Sequence, residues 1–409
     1  MHAKGKIEIR LLLLLVVIFV VPALAVETAA VEQIQTQVEL DSLIYFVQAL
    51  SGEVPVQLNG ESIRITTRNY AFGGNEYAFE WLKANLIRWG YTVEEQPFAD
   101  TGRNLFATKP GTATPEQIYI LCAHYDSWPY FDPAPGADDN ASGVAAVLEA
   151  ARILSEYQSD ATLLFGFWDE EELGYVGSHY YVDTFWSGNE KPAGVINLDM
   201  LAYDANGDNL AIINTHVDIA QSDQLRQEME NLNSSLGIGL SIQVYEPRIA
   251  SDQNSFWDGL ISTIGLHEDV LNEINAYYHS VNDQIEHFNL PYYHKMAELA
   301  ILTFASVSGV QIPDTSVDSY DRLDFALLQN YPNPFNATTA ITFRLSDPAQ
   351  VRIRIYDLNG RFVHELTNAF FPAGNQTVFW HAGNLPTGLY LYRFESGAHV
   401  ETRKMLLQK

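Results

Sequence analysis

Short apolar runs rich in β-branched residues alternate with stretches of helical periodicity over residues 26–315. The apolar runs predict strands at Ile118–Ala123, Thr162–Trp168, Gly194–Leu198 and Ser262–Leu266. The helical spacing predicts helices over Asn75–Trp89, Ala141–Tyr157 and Pro291–Val310. This alternation is typical of an α/β domain, so we predict a mostly parallel mixed sheet flanked by helices.

The pattern changes beyond residue 315. Residues 316–325 are polar and predict a linker, and strand-like alternation dominates residues 326–409. Val351, Ile353 and Ile355 alternate with arginines there, and a turn sequence of Asp-Leu-Asn-Gly follows at residues 357–360. We therefore predict a second, small all-β domain with an Ig-like sandwich.

The first 25 residues have the features of a signal peptide. A basic start is followed by the apolar run Leu11–Val21 and by the small-x-small sequence Ala23-Leu24-Ala25. The run is shorter than the roughly 20 apolar residues that a membrane-spanning helix needs. We predict an exported protein without a stable membrane span; a retained anchor is the alternative.

Charge and cysteine content narrow the function classes. The chain has a formal net charge of −28, while the signal segment carries +2 and residues 322–409 carry +3. Residues 26–321 therefore carry −33, which disfavours nucleic acid as a partner. Cys122 is the only cysteine, so the chain forms no intramolecular disulfide.

Ionisable side chains follow three of the predicted strands. His124 comes after the first strand, Glu171 and Glu172 after the second, and Asp199 after the third. Ligands of open α/β sheets gather outside the carboxyl ends of the strands, so these residues can converge. Nitrogen and carboxylate donors without thiolate suit a hydrolytic zinc site. The predicted metal ligands are His124, Asp138, Glu172, Asp199 and His279.

The charges of these ligands favour two zinc ions per chain. Two Zn²⁺ ions contribute four positive charges, which Asp138, Glu172, Asp199 and one bridging hydroxide balance. His124 and His279 would each give one ion a neutral nitrogen, and Asp138 would bridge the ions through its two oxygens. Such an ion pair binds a carbonyl oxygen together with the attacking water.

Four further residues have predicted supporting roles. Glu171 would act as general base, and Tyr278 would donate to the oxyanion of the tetrahedral intermediate. Asp126 would hold the free ring nitrogen of His124, and Asp283 would do the same for the second histidine. For Tyr278, Asp126 and Asp283, a core or surface role is the alternative.

Other catalytic signatures are absent from the sequence. His267-Glu268 is not followed by the second histidine of the helical zinc-protease motif. The chain has no Gly-x-Ser-x-Gly sequence and no glycine-rich phosphate loop.

Two segments resemble a known family. These are Pro-Gly-Ala-Asp138-Asp139-Asn-Ala-Ser-Gly and Glu171-Glu172-x-Gly-x-x-Gly-Ser178. They resemble the co-catalytic di-zinc aminopeptidases, such as secreted bacterial leucyl aminopeptidases; glutamate carboxypeptidase and glutaminyl cyclase share that fold. The resemblance implies that Asp138 bridges the metals, that Glu171 is the base, and that the Asp138-Asp139 peptide is cis.

This chain departs from the family pattern at Ser251-Asp252-Gln253, where many relatives have histidine after the Ser-Asp pair. The extra acid Glu170 is also unusual. The first departure affects the expected substrate pocket rather than the metal ligands, and Glu170 would either raise the pKa of Glu171 or face solvent.

The C-terminal segment has a resemblance of its own. The sequence at residues 328–336 and the Pro-Thr-Gly-Leu-Tyr sequence at 386–390 resemble C-terminal sorting domains of type IX secretion cargo. That resemblance implies interaction with secretion machinery and a location outside the cell or on the outer surface. A substrate- or carbohydrate-binding module is the alternative.

Together these features predict a secreted zinc aminopeptidase that removes N-terminal residues from peptides. The alternatives are a single-zinc acyltransferase similar to glutaminyl cyclase, and a carboxypeptidase or dipeptidase on the same fold. Specificity depends on loops that the sequence does not decode.

Overall fold

The structure is a computed structural model of the chain. It describes residues 29–58, 60–99, 101–186 and 191–312, and then 325–327, 330, 333, 335, 338–345, 349–358, 360–371, 374–383, 385–397 and 399–408. The predicted signal peptide at 1–25 and all of the predicted linker except Phe325 lie outside these residues. The chain divides into two compact units: the first comprises Met1–Val56 and Ile63–Pro313, and the second comprises Gln57–Ser62 and Asp314–Lys409.

The first unit alternates strands and helices. Its described helices are α1 (residues 29–35), α2 (Leu40–Leu50), α3 (Gly73–Arg88), α4 (Gly143–Leu154), α5 (Val176–Phe185), α6 (Ala220–Ser235), α7 (Gln253–Asp258) and α8 (Leu290–Val307). Its main sheet contains β3 (Thr92–Phe98), β4 (Gly102–Lys109), β5 (Thr114–His124), β7 (Ala161–Trp168), β8 (Gly194–Leu198), β9 (Leu210–Asn214), β10 (Ser241–Tyr245) and β11 (Thr263–His267). Short pairs are formed by β1 (Val56–Leu58) with β2 (Glu61–Ile63) and by β6 (Gln158–Ser159) with β12 (Val310–Gln311).

The main sheet has eight strands in the order β10-β9-β11-β8-β5-β7-β4-β3. The four central strands, from β11 to β7, run parallel to one another. β9 pairs antiparallel with β11 at one side, and β4 pairs antiparallel with β7 at the other. This confirms the predicted mixed α/β fold with a mostly parallel centre.

Burial explains why the central strands β7 and β8 are almost wholly apolar. Every residue of β7 and β8 is buried, as expected for parallel strands with helices on both faces. The bounds of β8 are those predicted from the sequence. Helix α8 begins where Asn289 accepts a hydrogen bond from the amide of Tyr292 at 3.4 Å, with Pro291 in the first turn.

The parallel strands bring several polar side chains to one edge of the sheet. β5 ends at His124, β8 ends one residue before Asp199, and β11 ends at His267. The turn Glu171–Leu173 follows β7 closely. The carboxyl ends of these strands therefore place the ionisable residues side by side.

The second unit is all-β. One sheet contains β13 (Phe325–Leu327), β14 (Thr338–Leu345) and β17 (Gly374–His381), and the other contains β15 (Ala349–Asp357), β16 (Phe362–Phe371), β18 (Gly388–Ser396) and β19 (His399–Leu407). All of their pairings are antiparallel. Residues of both sheets share one core, including Phe343, Ile353 and Phe394. This confirms the predicted small all-β domain.

Among the described helices, none combines the length and the apolar character that crossing a membrane requires.

Candidate metal centre

Asp139 lies between the two predicted metal-binding histidines. Its Oδ1 is 3.3 Å from Nε2 of His124, and its Oδ2 is 3.1 Å from Nε2 of His279. Each oxygen of one carboxylate therefore faces a different imidazole. This is the arrangement that a carboxylate shared by two ions requires.

The remaining candidate ligands form two groups around this carboxylate. Atoms of His124, Glu171 and Asp199 lie within 4.8 Å of one another, and so do atoms of Asp139, Glu172 and His279. Four residues predicted from the sequence, at positions 124, 172, 199 and 279, are thus brought together. Glu171 joins the first group as well.

Most separations between these side chains exceed those of direct charge-assisted hydrogen bonds and approach those of two ligands on one ion. Nε2 of His124 is 3.5 Å from Oδ1 of Asp199, and Nε2 of His279 is 3.0 Å from Oε2 of Glu172. Direct charge-assisted hydrogen bonds span about 2.7–2.9 Å. Two ligands that each lie about 2.0–2.1 Å from a tetrahedral zinc ion are roughly 3.3 Å apart.

Several of these buried polar atoms have no hydrogen-bond partner among the described residues. They are both ring nitrogens of His124, Nε2 of His279, Oε1 of Glu172 and Oδ1 of Asp199. Burying polar groups without partners costs several kcal/mol in total, because each loses its hydrogen bonds to water. Together with the nitrogen and oxygen donor set, these atoms fit zinc.

The structure corrects the predicted role of Asp138. The Asp138 carboxylate points away from both histidines: Oδ1 accepts from the amide of Ala202 at 3.0 Å, and Oδ2 accepts from Nδ2 of Asn275 at 2.8 Å. Burial raises the pKa of Asp138 to about 6, although the hydrogen bond from Asn275 opposes that effect. Asp138 is therefore a buried supporting residue, and its neighbour Asp139 occupies the position between the imidazoles.

The predicted cis peptide is displaced by one residue. The resemblance placed it at Asp138-Asp139, whereas the structure has it at Asp139-Asn140. Asn140 connects this loop to β8 and α4, because its Nδ2 donates to the carbonyl of Leu198 at 2.8 Å and its Oδ1 accepts from the amide of Gly143 at 3.0 Å.

Two glycines allow the Asp139 loop to pack this closely. Gly136 has a φ of +48°, and a Cβ there would lie 2.9 Å from Cβ of Ser127. A Cβ on Gly143 would collide with the Asn140 side chain and lie 2.8 Å from the carbonyl oxygen of Leu198. Both positions of the Pro-Gly-Ala-Asp-Asp-Asn-Ala-Ser-Gly segment therefore require glycine.

Asp126 supports two loops of the centre at once. Its Oδ1 lies 3.4 Å from Nδ1 of His124, close to the predicted contact. The same carboxylate also accepts hydrogen bonds from the backbone amides of Glu171 and Glu172, at 3.1 and 3.2 Å. Asp126 therefore orients the glutamate turn as well as facing the histidine.

Asp283 differs from its predicted role. Its carboxylate accepts from the amides of Asp138 at 3.0 Å and Asp139 at 3.0 Å, and its carbonyl accepts from the amide of Ala137. The described contacts of Asp283 thus tie down the loop of Asp139 rather than the ring of His279. Proximity along the chain is a misleading guide to its partner.

The environment of Glu171 suits a proton acceptor. Burial raises its pKa well above the ordinary value; His124 opposes that effect, and the charges of Asp252 and Asp199 add to it. Glu170 does not face solvent: it is buried, and its carboxylate accepts from Oγ1 of Thr101 at 2.7 Å. A raised pKa makes the carboxylate a stronger base.

Tyr278 lies at the rim of the metal centre. Its ring stacks on the ring of His279, with centroids 3.7 Å apart, and 43% of the residue is exposed. Partial burial and the negative charges of Asp139 and Glu172 raise the pKa of its hydroxyl, which therefore stays protonated. The hydroxyl can act as a hydrogen-bond donor.

A buried arginine, which sequence reasoning did not identify, lies beneath the centre. Arg68 is fully buried and donates to the carbonyls of Tyr125, Leu50, Pro135 and Gly136 at 2.6–2.8 Å. Burial lowers its pKa only to about 10, because nearby carboxylates such as Asp283 favour its charge. It joins the segment after His124 to the loop before Asp139.

A cavity of about 280 Å³ opens beside the carboxylates. Three of the centre's acids, Asp139, Glu171 and Asp199, form one wall. The remaining lining is largely apolar and comprises Met200, Tyr245, Arg248, Ile249, Ala250, His267, Val270, Leu271, Ile274 and Tyr278. A side chain of a bound molecule can therefore lie in this cavity while its polar end faces the centre.

Other buried acids near the centre were also missed as supporting residues. Asp252 is fully buried, neither of its oxygens has a hydrogen-bond partner among the described residues, and burial raises its pKa to about 7. Glu268 accepts from the amides of Ala202 and Tyr203. The sequence offered a signal for Glu268, because this acid follows an apolar run. An acid at the end of such a strand lies at the edge of the sheet that carries the metal centre.

Comparison with family profiles identifies two segments of the chain. Residues 104–304 match the profile described as peptidase family M28. Residues 329–408 match the profile of a secretion system C-terminal sorting domain. Both matches agree with the two resemblances found in the sequence.

Curated relatives match part of the chain. A probable zinc metalloprotease of Pyrenophora tritici-repentis is 30% identical over 158 residues, covering 34% of this chain and 33% of the relative. Aminopeptidase YwaD of Bacillus subtilis is 31% identical over 193 residues, covering 46% and 41%. The chain thus matches about one third to two fifths of the length of these relatives.

Solved structures show the same fold. The LapA aminopeptidase of Legionella pneumophila aligns with a TM-score of 0.58 and 17% identity, covering 68% of this chain and 74% of that protein. The glutaminyl cyclase of Porphyromonas gingivalis aligns with a TM-score of 0.54 and 20% identity, covering 65% and 97%. At these identities the likeness establishes the fold alone.

Proposed function

We propose, from the match of residues 104–304 to the profile of peptidase family M28, that this chain is a zinc aminopeptidase with two zinc ions per chain. One observation carries the proposal: the Asp139 carboxylate faces both His124 and His279, and each histidine has a further acid beside it. There are two sets of ligands, and several of their buried donor atoms have no hydrogen-bond partner among the described residues. This supports two ions rather than one.

The ligand roles follow from the distances. His124 and Asp199 would hold one ion, His279 and Glu172 would hold the other, and Asp139 would contact both. When bound, zinc supplies Lewis acidity and lowers the pKa of water towards neutrality. Glu171 is the outlying member of its group, with Oε2 at 4.0 Å from Nε2 of His124, which leaves it free for proton transfer.

The protein residues account for the proton movements. The carboxylate of Glu171 takes the proton of the attacking water and returns it to the leaving nitrogen of the cleaved peptide bond. The Tyr278 hydroxyl donates a hydrogen bond to the oxygen on which negative charge develops. The Asp126 carboxylate holds the backbone of Glu171 in place, so the base keeps its position through the reaction.

Charge at the cavity favours removal of N-terminal rather than C-terminal residues. Three carboxylates line one wall, and the only arginine or lysine among the described lining residues is Arg248, whose guanidinium pairs with Asp258 at 2.6 Å. Bound zinc would neutralise Asp139 and Asp199, but the carboxylate of a substrate C-terminus would still find no unpaired arginine or lysine among the described lining residues. The apolar remainder suits a large apolar side chain on the residue that is removed.

A glutaminyl-cyclase-like acyltransferase is the second candidate, since the fold is shared. That reaction would need one zinc ion, so metal stoichiometry separates the two proposals. The presence of both His124 and Asp199, with unpartnered donor atoms directed at each other, favours the two-ion hydrolase.

We further propose that the protein acts outside the cell or on its outer surface. The sorting-domain match at residues 329–408 supports export by a type IX system, and the N-terminal sequence supports a signal peptide. Its partners would then be peptide substrates and the secretion machinery.

The test combines metal analysis with a substrate panel. Purified protein should contain two zinc ions per chain and cleave leucinamide and leucyl peptides, but not their N-acetylated forms. One zinc per chain together with cyclisation of N-terminal glutamine would replace the proposal by the acyltransferase. Unchanged cleavage of N-acetylated peptides would refute an aminopeptidase.

A further inference from the structure

A group of aromatic side chains lies beside the metal centre and has no role in the function proposed so far. The segment 128–133, Trp-Pro-Tyr-Phe-Asp-Pro, follows Asp126 and Ser127 directly. Tyr130 and Phe131 are 54% and 50% exposed. Exposed aromatic residues that cluster near a site usually mark a binding surface.

These rings are organised rather than scattered. The Tyr130 ring lies 5.8 Å from the ring of Tyr70 and 5.8 Å from that of Phe72, and the Trp128 ring lies 5.8 Å from the ring of His279. We call the surface of Tyr70, Phe72, Trp128, Tyr130 and Phe131 the aromatic ledge. Its Trp128 ring contacts His279 of the metal centre, and Tyr130 and Phe131 follow Trp128 in the same short segment of the chain.

Hydrogen bonds hold the ledge in place at both ends. The amide of Arg68 donates to Oγ of Ser127, and that hydroxyl donates to the carbonyl of Ala134 at 2.8 Å. The amide of Ala134 donates in turn to the carbonyl of Thr66 at 2.9 Å. A surface fixed in this way loses little conformational entropy when it binds a ligand.

The ledge and the cavity meet the centre at different residues. The cavity is lined by Asp139, Glu171 and Asp199, whereas the ledge touches the centre at His279. A peptide bond held at the centre extends in two directions. If the cavity receives the residue that is removed, the chain on the other side of the cleaved bond continues towards a second surface.

We propose that the aromatic ledge binds an apolar side chain of the peptide on the leaving side of the cleaved bond. This inference rests on the proposed aminopeptidase function and adds a preference for peptides whose second residue is aromatic or large and aliphatic. Aromatic side chains suit this role because they present large rigid apolar faces to other rings.

The test compares leaving groups in one enzyme. Wild-type kcat/KM is measured for leucinamide, which has no side chain beyond the cleaved bond, and for the amides of Leu-Gly and Leu-Phe. We expect Leu-Phe amide to exceed Leu-Gly amide by about tenfold, as burial of one side chain allows. In the double variant Tyr130→Ala/Phe131→Ala this preference should disappear through KM, while leucinamide turnover stays within about twofold.

Two control variants distinguish the ledge from general damage. Tyr130→Phe keeps the ring and should retain the preference. Leu260→Ala removes another exposed side chain, 68% exposed, just before β11 and hence at the opposite edge of the sheet from His267; it should change nothing. Each variant is checked by thermal melting.

The outcomes separate the two proposals. Equal losses on leucinamide and Leu-Phe amide, or no loss on either, would overturn the ledge and leave the aminopeptidase intact. A wild-type enzyme that cleaves none of the three substrates would overturn the aminopeptidase, and the ledge with it.

Discussion

Removing the charge of either neighbouring aspartate tests the assignment of the bridging residue. Asp139→Asn and Asp138→Asn are equal chemical changes at adjacent positions. Only the first alters a side chain that faces both histidines, at 3.3 and 3.1 Å. The second alters a side chain that faces Ala202 and Asn275.

Asp139→Asn is expected to weaken the binding of both zinc ions. The amide introduced by Asp139→Asn would offer one oxygen and no charge, so each zinc ion loses part of a ligand. Loss of a partner one step further from a metal already costs about 10–100-fold in affinity, so we expect at least about 100-fold here. At about 1.4 kcal/mol per tenfold, this is roughly 3 kcal/mol for each ion.

Asp138→Asn should instead lower stability. The new side chain has one acceptor oxygen where two now accept, so either the side-chain NH₂ of Asn275 faces another NH₂ or the backbone N–H of Ala202 is left with Glu268 alone as acceptor. Asn275 cannot turn its own amide over without cost, because its Oδ1 accepts from the amide of Tyr277 at 2.8 Å. An unsatisfied buried pair of this kind costs about 1–3 kcal/mol.

The assay measures zinc content, kcat/KM on leucinamide and the melting temperature for both variants. Asp139→Asn should lose zinc and activity, whereas Asp138→Asn should keep both ions and melt a few degrees lower. The reverse pattern, with zinc lost from Asp138→Asn and kept in Asp139→Asn, would refute the geometry described for this loop.

Three further predictions concern the base, the metals and the buried arginine. Glu171→Gln should lower kcat by about 10²–10⁴-fold with KM and zinc content unchanged; loss of zinc would show that Glu171 is a ligand instead. Chelation of the metals should abolish activity and lower the melting temperature, because unpaired buried charges remain. Added zinc should restore both. An unchanged melting temperature after chelation would contradict this prediction. Arg68→Lys should lower the free energy of unfolding in urea by about 2–4 kcal/mol, because one ammonium group cannot reach four carbonyls. The exposed control Arg64→Lys should lower it by less than about 0.5 kcal/mol. Equal losses in the two variants would remove the special role of Arg68.

Strand positions could be predicted well because burial leaves a strong signal. The strand predicted at Gly194–Leu198 coincides with β8, and the one at Thr162–Trp168 lies one residue inside β7. Both strands are buried on both faces, so nearly every position is apolar, and the two polar side chains, Thr162 and Asn197, are hydrogen-bonded. β5, by contrast, starts at Thr114, four residues before the predicted start, because its first residues lie nearer the surface and are polar.

Candidate ligands could be predicted where they end such strands. His124 and Asp199 follow apolar runs, and a polar residue at that point stands out. Asp138 and Asp139 are different, because both are acids in one irregular loop. The conformation around Gly136 and Asn140 decides which carboxylate faces the histidines, and no periodicity records that choice.

Supporting residues were the least predictable part of the site. Asp126 accepts from amides 45 and 46 residues away, and Asp283 accepts from amides 144 and 145 residues away. A backbone amide has the same chemistry in every residue but proline, so the sequence holds no mark of the partner. Asp283 lies close to His279 along the chain, which suggests a contact between the two side chains. In the structure, Asp283 instead packs against the Asp139 loop.

These two aspartates explain how so many acids can share one edge of the sheet. Each accepts two or more backbone amides, and hydrogen bonds of this kind stabilise a buried carboxylate without adding a mobile cation. The amides belong to the turns that carry Glu171, Glu172 and Asp139. The same hydrogen bonds therefore stabilise the two buried aspartates and hold in place the turns that carry the ligands. The acids left for zinc to neutralise are then Asp139, Glu172 and Asp199, which face the histidines.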